Sequence, residues 1–213
     1  MARSPESASP ESASPGSPSP GSASPDAPVL SVVVCGAAPA AGVGTLVGEA
    51  VTRGWAVQVI ATPSALAFFD ADEIEEQTGN PVRSRYSAPG APRSRIPDAI
   101  IVAPATFNTI NQWAVGTSDT YALGVLAEQT GMEIPIVVVP FVSEALAGRP
   151  PFQRSVRALR AEGVSVLLGA DGVKPNPVHA EADHVAGFPW QLALDEVSGM
   201  TGFGMPNEPG DSE

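Results

Sequence analysis

Five short runs of β-branched and other apolar residues recur along the chain, and helical spacing returns between them. The runs are VLSVVVCG from Val29, WAVQVIAT from Trp55, DAIIVAPA from Asp98, IPIVVVPF from Ile134 and VSVLLG from Val164. Their unbroken apolarity is the constraint. A strand with one wet face alternates apolar and polar residues, whereas a strand covered on both faces reads as a continuous run. The intervening segments supply the covers. TLVGEAVTR from Thr45 carries Leu46, Ala50 and Val51 at helical spacing and stops at Gly54. PSALAFFDADEIEEQTG from Pro63 is helical with a break near Asp70, and TINQWAVGTSDTYALGVLAEQTG from Thr109 gives one or two helices. PFQRSVRALRAEG from Pro151 sets Val156 and Leu159 on one face before Gly163, and PWQLALDEVSG from Pro189 gives a last helix. Strands alternating with helices predict an α/β fold, a doubly wound, Rossmann-like parallel sheet flanked by helices in a single domain.

That domain is expected over residues 29–200. Residues 1–28 hold 9 Ser and 7 Pro with almost no large apolar side chain. Such a segment cannot bury enough surface to offset its ordering entropy, so a disordered tail is expected there. Residues 201–213 are expected to form a flexible acidic tail. The N-terminal tail reads as a solubilising arm, a tether or a Ser-Pro phosphorylation platform.

The formal net charge is −12. This argues against nucleic acid or an anionic membrane as partner. A small anion is not excluded, because backbone N–H groups at a helix start bind phosphate without a basic residue. Lys174 is the one lysine, so a phosphate site must rely on arginine, hydroxyls or backbone. Cys35 is the one cysteine and lies inside an apolar run. It reads as a buried thiol, and it excludes an intrachain disulfide framework. His179 and His184 stand five residues apart and do not share a helix face, so no metal site is expected. No run approaches the length of a membrane helix and no signal-peptide core is present, so a cytoplasmic protein is expected.

In doubly wound sheets ligands bind beyond the C-terminal strand ends. Four stretches follow strands here: GAAPAAGVG, TPSA, PATFNT and PFVSEA. The first is small enough for a ligand to approach the backbone, but it is neither a good dinucleotide fingerprint nor a P-loop. In the second, Thr62 and Ser64 offer two hydroxyls; Thr62 and Pro63 also suit a helix start. The third clusters Thr106, Asn108 and Thr109 at a strand-to-helix switch, more than one cap needs. Hydroxyls, an amide and free helical N–H groups there make an uncharged phosphate cradle.

APATFNTINQWAVGTSDTYA, with VVCGAAPAA and ATPSALAFF, resembles the homo-oligomeric flavin-containing cysteine decarboxylases, a family that includes phosphopantothenoylcysteine decarboxylase and the peptidyl-cysteine decarboxylases of lantibiotic biosynthesis. The resemblance covers roughly Val29 to Gly169 and includes PPFQRSVRALRAEGVSVL. The family's Pro-Ala-Ser-Ala-Asn-Thr motif matches Pro104 to Thr109, with Phe107 where a small Ala stands, and Gly116 and Asp119 match the Gly-x-x-Asp that follows. The resemblance implies FMN as cofactor. Its contacts would come from Gly36, Ala37 and Ala38, from Thr62, Pro63 and Ser64, from Thr106, Phe107, Asn108 and Thr109, and from Phe141. It also implies a homotrimer, or a dodecamer built from trimers, acting on a small-molecule or peptide substrate.

The family's catalytic residues do not carry over. Gly90 stands where the family has its His, and PFVSEALA stands where it has Pro-x-Met-Asn-x-x-Met-Trp. Tyr86 and Ser143 are the remaining catalytic candidates. The expected function is flavin-dependent oxidation or oxidative decarboxylation, a lyase or oxidoreductase activity; the alternative is a non-catalytic flavin-binding accessory subunit. Arg83, Arg85, Arg93 and Arg95 form a local basic cluster that is either a solvated loop or a recognition element for an anion near the flavin. A prenyltransferase reading would have to draw its phosphate contacts from Arg149 or Arg154.

Overall fold

The computed structural model describes residues 26–86, 90, 94–169, 172–177 and 187–205. In chain order the elements are β1 (Val29–Val34), α1 (Val43–Thr52), β2 (Ala56–Ala61), α2 (Ala71–Thr78), β3 (Ala99–Ala105), α3 (Phe107–Ala114) and α4 (Tyr121–Gly131). They continue with β4 (Ile136–Pro140), α5 (Glu144–Ala147), α6 (Pro150–Ala161), β5 (Ser165–Val166) and α7 (Trp190–Thr201). The five strands form one sheet in the order β2-β1-β3-β4-β5. Every pairing is parallel, with Leu30 opposite both Val57 and Ala99, and Ile100 opposite Ile136.

Alternation along each strand sends side chains to two separate cores. Leu30, Val32 and Val34 of β1 join Ile101 and Val137 under α1, α2 and α7. Val33 and Cys35 join Ile100, Val102 and Val138 under α3, α4 and α6. Both faces of β1, β3 and β4 are therefore buried, which is why those runs show no polar period. The exception, Ser31, is fully buried and accepts a hydrogen bond from Gln58 Nε2 at 2.7 Å. Gln58 is its register partner on β2. Trp55 and Phe152 are among the largest buried side chains, one in each core. Burying a side chain of this class contributes about 1.5–3 kcal/mol.

The helical breaks fall where local chemistry sets them. Asp70 caps α2, its carboxylate accepting from the Asp72 N–H at 2.9 Å. The segment before it, Ala65–Ala67, is a single 3-10 turn. The long segment from Thr109 divides into α3 and α4 around Gly116, whose φ of +76° no β-branched residue adopts comfortably. β5 is shorter than its apolar run suggests. Leu168 bridges Val173 instead of continuing along β4, and the chain turns at Gly169, φ +111°. Beyond α7, Phe203 packs edge-on against Trp55, with ring centroids 4.8 Å apart. Arg53 holds this corner by bonding Glu49 at 3.0 Å and Asp195 at 2.6 Å. No described helix is long and apolar enough to cross a membrane.

Candidate functional site

The strand order places a switch point between β1 and β3. From β1 the chain turns outward to β2; from β3 it turns the other way to β4. The loops leaving these two strands diverge and open a crevice above the carboxyl ends of the sheet. A cleft of about 630 Å³ lies there, a size suited to a cofactor or drug-sized ligand.

Ten of the eleven residues expected to touch a cofactor line this cleft. Gly36 and Ala37 come from the end of β1, and Thr62, Pro63 and Ser64 from the end of β2. Thr106, Phe107, Asn108 and Thr109 come from the β3-to-α3 turn, and Phe141 from the end of β4. Ala38 is the exception: it is exposed and starts the 3-10 turn Ala38–Gly42. Gln112, Thr120, Leu123 and Leu146 complete the wall. Gln112 lies one helical turn past Asn108, so helical spacing would have found it; Thr120 and Leu123, at the start of α4, have no such link to the expected residues. Nothing in the sequence brings Leu146 of α5 to this rim; that is set by how α5 folds over β4.

The cleft is built from dipoles. Among the described residues that line it, none is ionisable. Thr106 is the N-cap of α3: its Oγ1 accepts from the Thr109 N–H at 3.3 Å and lies 3.0 Å from Thr109 Oγ1. The cap leaves Phe107 and Asn108 at the first turn, where N–H groups have no intrahelical acceptor and the helix dipole favours an anion. Asn108 is exposed in the cleft and donates from Nδ2 to Gln112 Oε1 at 3.3 Å. Across the cleft, Thr62 Oγ1 and Ser64 Oγ lie 3.3 Å apart.

Backbone approach is tight on the β1 side. A Cβ placed on Gly36 would stand 2.6 Å from Ser64 Oγ and 2.8 Å from Ser64 Cβ. Below the floor, Cys35 is buried and its backbone N–H donates to Pro104 O at 3.2 Å. Burial pushes its thiol pKa up, partly offset by hydrogen bonding with Thr109 and Thr106. Its thiol faces the core, consistent with a packing role.

Phe107 does more than replace a small residue. Its ring stacks on buried Phe152 of α6, with centroids 5.5 Å apart and planes 15° from parallel. The Arg149 guanidinium lies over the same ring at 5.9 Å. Phe107 thus closes the cleft on the α6 side and docks α3 onto α6.

The catalytic candidates lie elsewhere. Tyr86 is 66% exposed and packs edge-on against Tyr121, outside the cleft wall. Ser143 caps α5, its Oγ accepting from the Leu146 N–H at 3.3 Å. The hydroxyl is engaged at the helix start and is not among the residues lining the cleft. The arginine cluster is also dispersed. Arg83 pairs through its backbone with β2, and Arg95 donates to Ala27 O at 3.0 Å. Neither these two nor Arg85 reaches the cleft. Arg93, His179 and His184 lie outside the described residues. Among the described residues no cluster suited to a metal ion occurs.

The comparisons agree with this geometry. The model of the family described as Flavoprotein matches residues 21–190. The bifunctional coenzyme A biosynthesis protein CoaBC of Mycobacterium tuberculosis is 30% identical over 133 residues, which is 60% of this chain. The chain spans 31% of that relative's length. HAL3 from Cryptococcus neoformans superposes with a TM-score of 0.66 at 18% identity, covering 83% of this chain and 97% of its own. The FMN-dependent cysteine decarboxylase SpaF gives 0.56 at 23% identity, covering 80% and 97%. At these identities the two structures share the fold. The family match extends over all four strand-end stretches that build the cleft, and on that ground the chain belongs to the flavoprotein family.

Proposed function

We propose that the cleft holds FMN. The observation that carries this reading is the convergence of Gly36, Thr62, Ser64, Thr106, Asn108 and Thr109 on one uncharged crevice at the β1/β3 switch point. The donor set fits the group. A phosphate suits the α3 N-terminus with its hydroxyls and amide, and a flat ring suits the small residues Gly36 and Ala37 on the β1 side of the cleft. Thr106, Asn108 and Thr109 would hold the phosphate end. Gly36, Thr62, Ser64 and Phe141 would border the ring. That SpaF carries the description FMN-dependent supports the choice of flavin. When bound, FMN supplies two-electron acceptance from an organic substrate.

For the reaction, we propose flavin-dependent oxidation or oxidative decarboxylation of a small-molecule or peptide substrate. Phe107 and Leu146 would exclude water from its rim, and Gln112 and Thr120 would offer it hydrogen bonds. Assembly into a homotrimer or a dodecamer belongs to the same proposal. One observation favours a second reading, a non-catalytic flavin-binding accessory subunit: none of the described residues lining the cleft is ionisable, so none serves as general base.

Visible absorption of the purified protein tests the cofactor. A flavin spectrum, present on isolation or after adding FMN, is expected; a protein that stays colourless overturns the proposal. Incubating the flavin-loaded protein with C-terminal cysteine peptides or phosphopantothenoylcysteine separates the two readings. Loss of a carboxyl group with two hydrogens supports the enzyme. Stable flavin binding with no turnover supports the accessory subunit.

A further inference from the structure

A second concavity, a groove of about 430 Å³, runs between α3 and α6. Phe107 and Gln112 line both it and the cleft, so a single ring and a single amide separate the two. The α3 side carries Phe107, Ala114 and Val115, with Asn111 and Gln112 between them. The α6 side carries Arg149, Arg154, Ser155 and Ala158, and the Arg149 guanidinium lies over the Phe107 ring.

Three observations set the charge of its ligand. No ion pair or side-chain hydrogen bond engages either guanidinium among the described residues; that of Arg149 lies over the Phe107 ring. Among the described residues no acidic side chain lines the groove, and none occurs in the sequence from 145 to 161, in a chain with 23 acidic against 11 basic residues. The groove is a positive notch in a negative molecule. Finally, α6 opens with Pro150 and Pro151. Neither has a backbone N–H, which thins the helix amides at that end and leaves the two guanidiniums as its charged donors.

We infer that this groove binds an oxyanion, a carboxylate or a phosphate, carried on an apolar stem. The head would be held by Arg149 and Arg154, and the stem would lie along Val115, Ala114 and Ala158 against Phe107. The site is separate from the cofactor cleft and does not depend on flavin being bound. Guanidinium groups serve carboxylate and phosphate alike, so the two sources need separate probes.

Calorimetric titration of the full chain with octanoate, octyl phosphate, octanol and inorganic phosphate tests the assignment. At least one of the two amphiphilic anions is expected to bind about tenfold or more tightly than octanol and than inorganic phosphate. The tighter of the two names the head group. The double substitution Arg149→Gln with Arg154→Gln is expected to remove that advantage and leave octanol unchanged. Ala158→Phe, which keeps both arginines and fills the groove, is expected to weaken the same anion by a similar factor. Thermal unfolding midpoints near that of the parent chain show that both variants fold. Failure of both anions to bind, octanol binding equally well, or inorganic phosphate binding equally well would overturn the inference. So would anion affinity that survives the arginine substitutions.

Discussion

Ser64 sits against Gly36 so closely that a Cβ on Gly36 would stand 2.6 Å from its Oγ. The two residues follow different strands, β1 and β2, and both line the cleft. Gly36→Ala must therefore push the Thr62–Ser64 turn outward. The strands themselves are held by both cores and should not move. We expect normal far-ultraviolet circular dichroism and FMN affinity reduced by about tenfold or more, as a displacement costing ~1.4 kcal/mol of binding would give. Unchanged affinity would show that the turn yields freely and that Gly36 is not a close-approach position.

Thr106→Ala removes the cap of α3. Losing an N-cap hydroxyl costs about 1 kcal/mol, which for a domain of this size lowers the melting midpoint by ~2–4 °C. The same change frees Thr109 Oγ1, its neighbour at 3.0 Å. Flavin affinity should fall as well. A control at another cap, Ser143→Ala on α5, is expected to lose stability without losing flavin affinity, because Ser143 does not line the cleft.

Phe107→Ala deletes the stack on Phe152 and the wall shared by cleft and groove. Phe107 is half-buried, so the loss is smaller than for a core phenylalanine, about 2 kcal/mol. Urea denaturation should show this as a lower midpoint. The environment of any bound flavin should also become more open to solvent, read as quenching of its fluorescence by iodide.

Cys35 gives a pH dependence of known sign. Burial raises its folded-state pKa above the usual 9.0, so the folded protein keeps the proton where the unfolded chain loses it. The contribution is fully present below pH 9.0 and is lost as pH rises from there towards the folded pKa, at no more than about 1.4 kcal/mol per pH unit. Urea midpoints measured above that pH should fall more steeply for the parent chain than for Cys35→Ala. Thiol reagents at neutral pH should react with Cys35 only on unfolding; rapid labelling of the native protein would contradict its burial.

Arg53 supplies the simplest stability test. It joins the end of α1 to α7 through Glu49 and Asp195, both substantially exposed. Partners that water can resolvate limit the loss for Arg53→Ala to about 1 kcal/mol. The loss should shrink in high salt, measured as a smaller difference between the two melting midpoints.

Much of this was legible along the chain. Both faces of β1, β3 and β4 are buried, so their runs show no polar period, and a covered parallel sheet is the arrangement consistent with that. PATFNT declared a cap and a surplus of hydrogen-bonding groups, and the cleft uses that surplus. The sequence misled where a residue's chemistry was read without its backbone. Ser143 looked available as a functional hydroxyl, yet it faces the first turn of α5. The arginines from 83 to 95 looked like a cluster because they are close in sequence, but the Arg83 backbone pairs with the carboxyl half of β2, whereas the Arg95 guanidinium bonds Ala27 ahead of β1. Arg149 and Arg154 drew notice only as an alternative phosphate supply, although both line a groove beside the cleft.

By itself, then, the order of residues determined the sheet, its two covers and the residue types at each strand end. Local burial patterns and caps need only neighbouring residues to be read. Tertiary structure alone decided that β1 lies between β2 and β3, which turns four separate stretches into one cleft. It also decided that Phe107 reaches Phe152, some 45 residues away in sequence, and so divides that cleft from a second groove. Such contacts depend on how α3 and α6 cross over the sheet, and the packing of their buried faces sets that crossing, with no local signal to announce it.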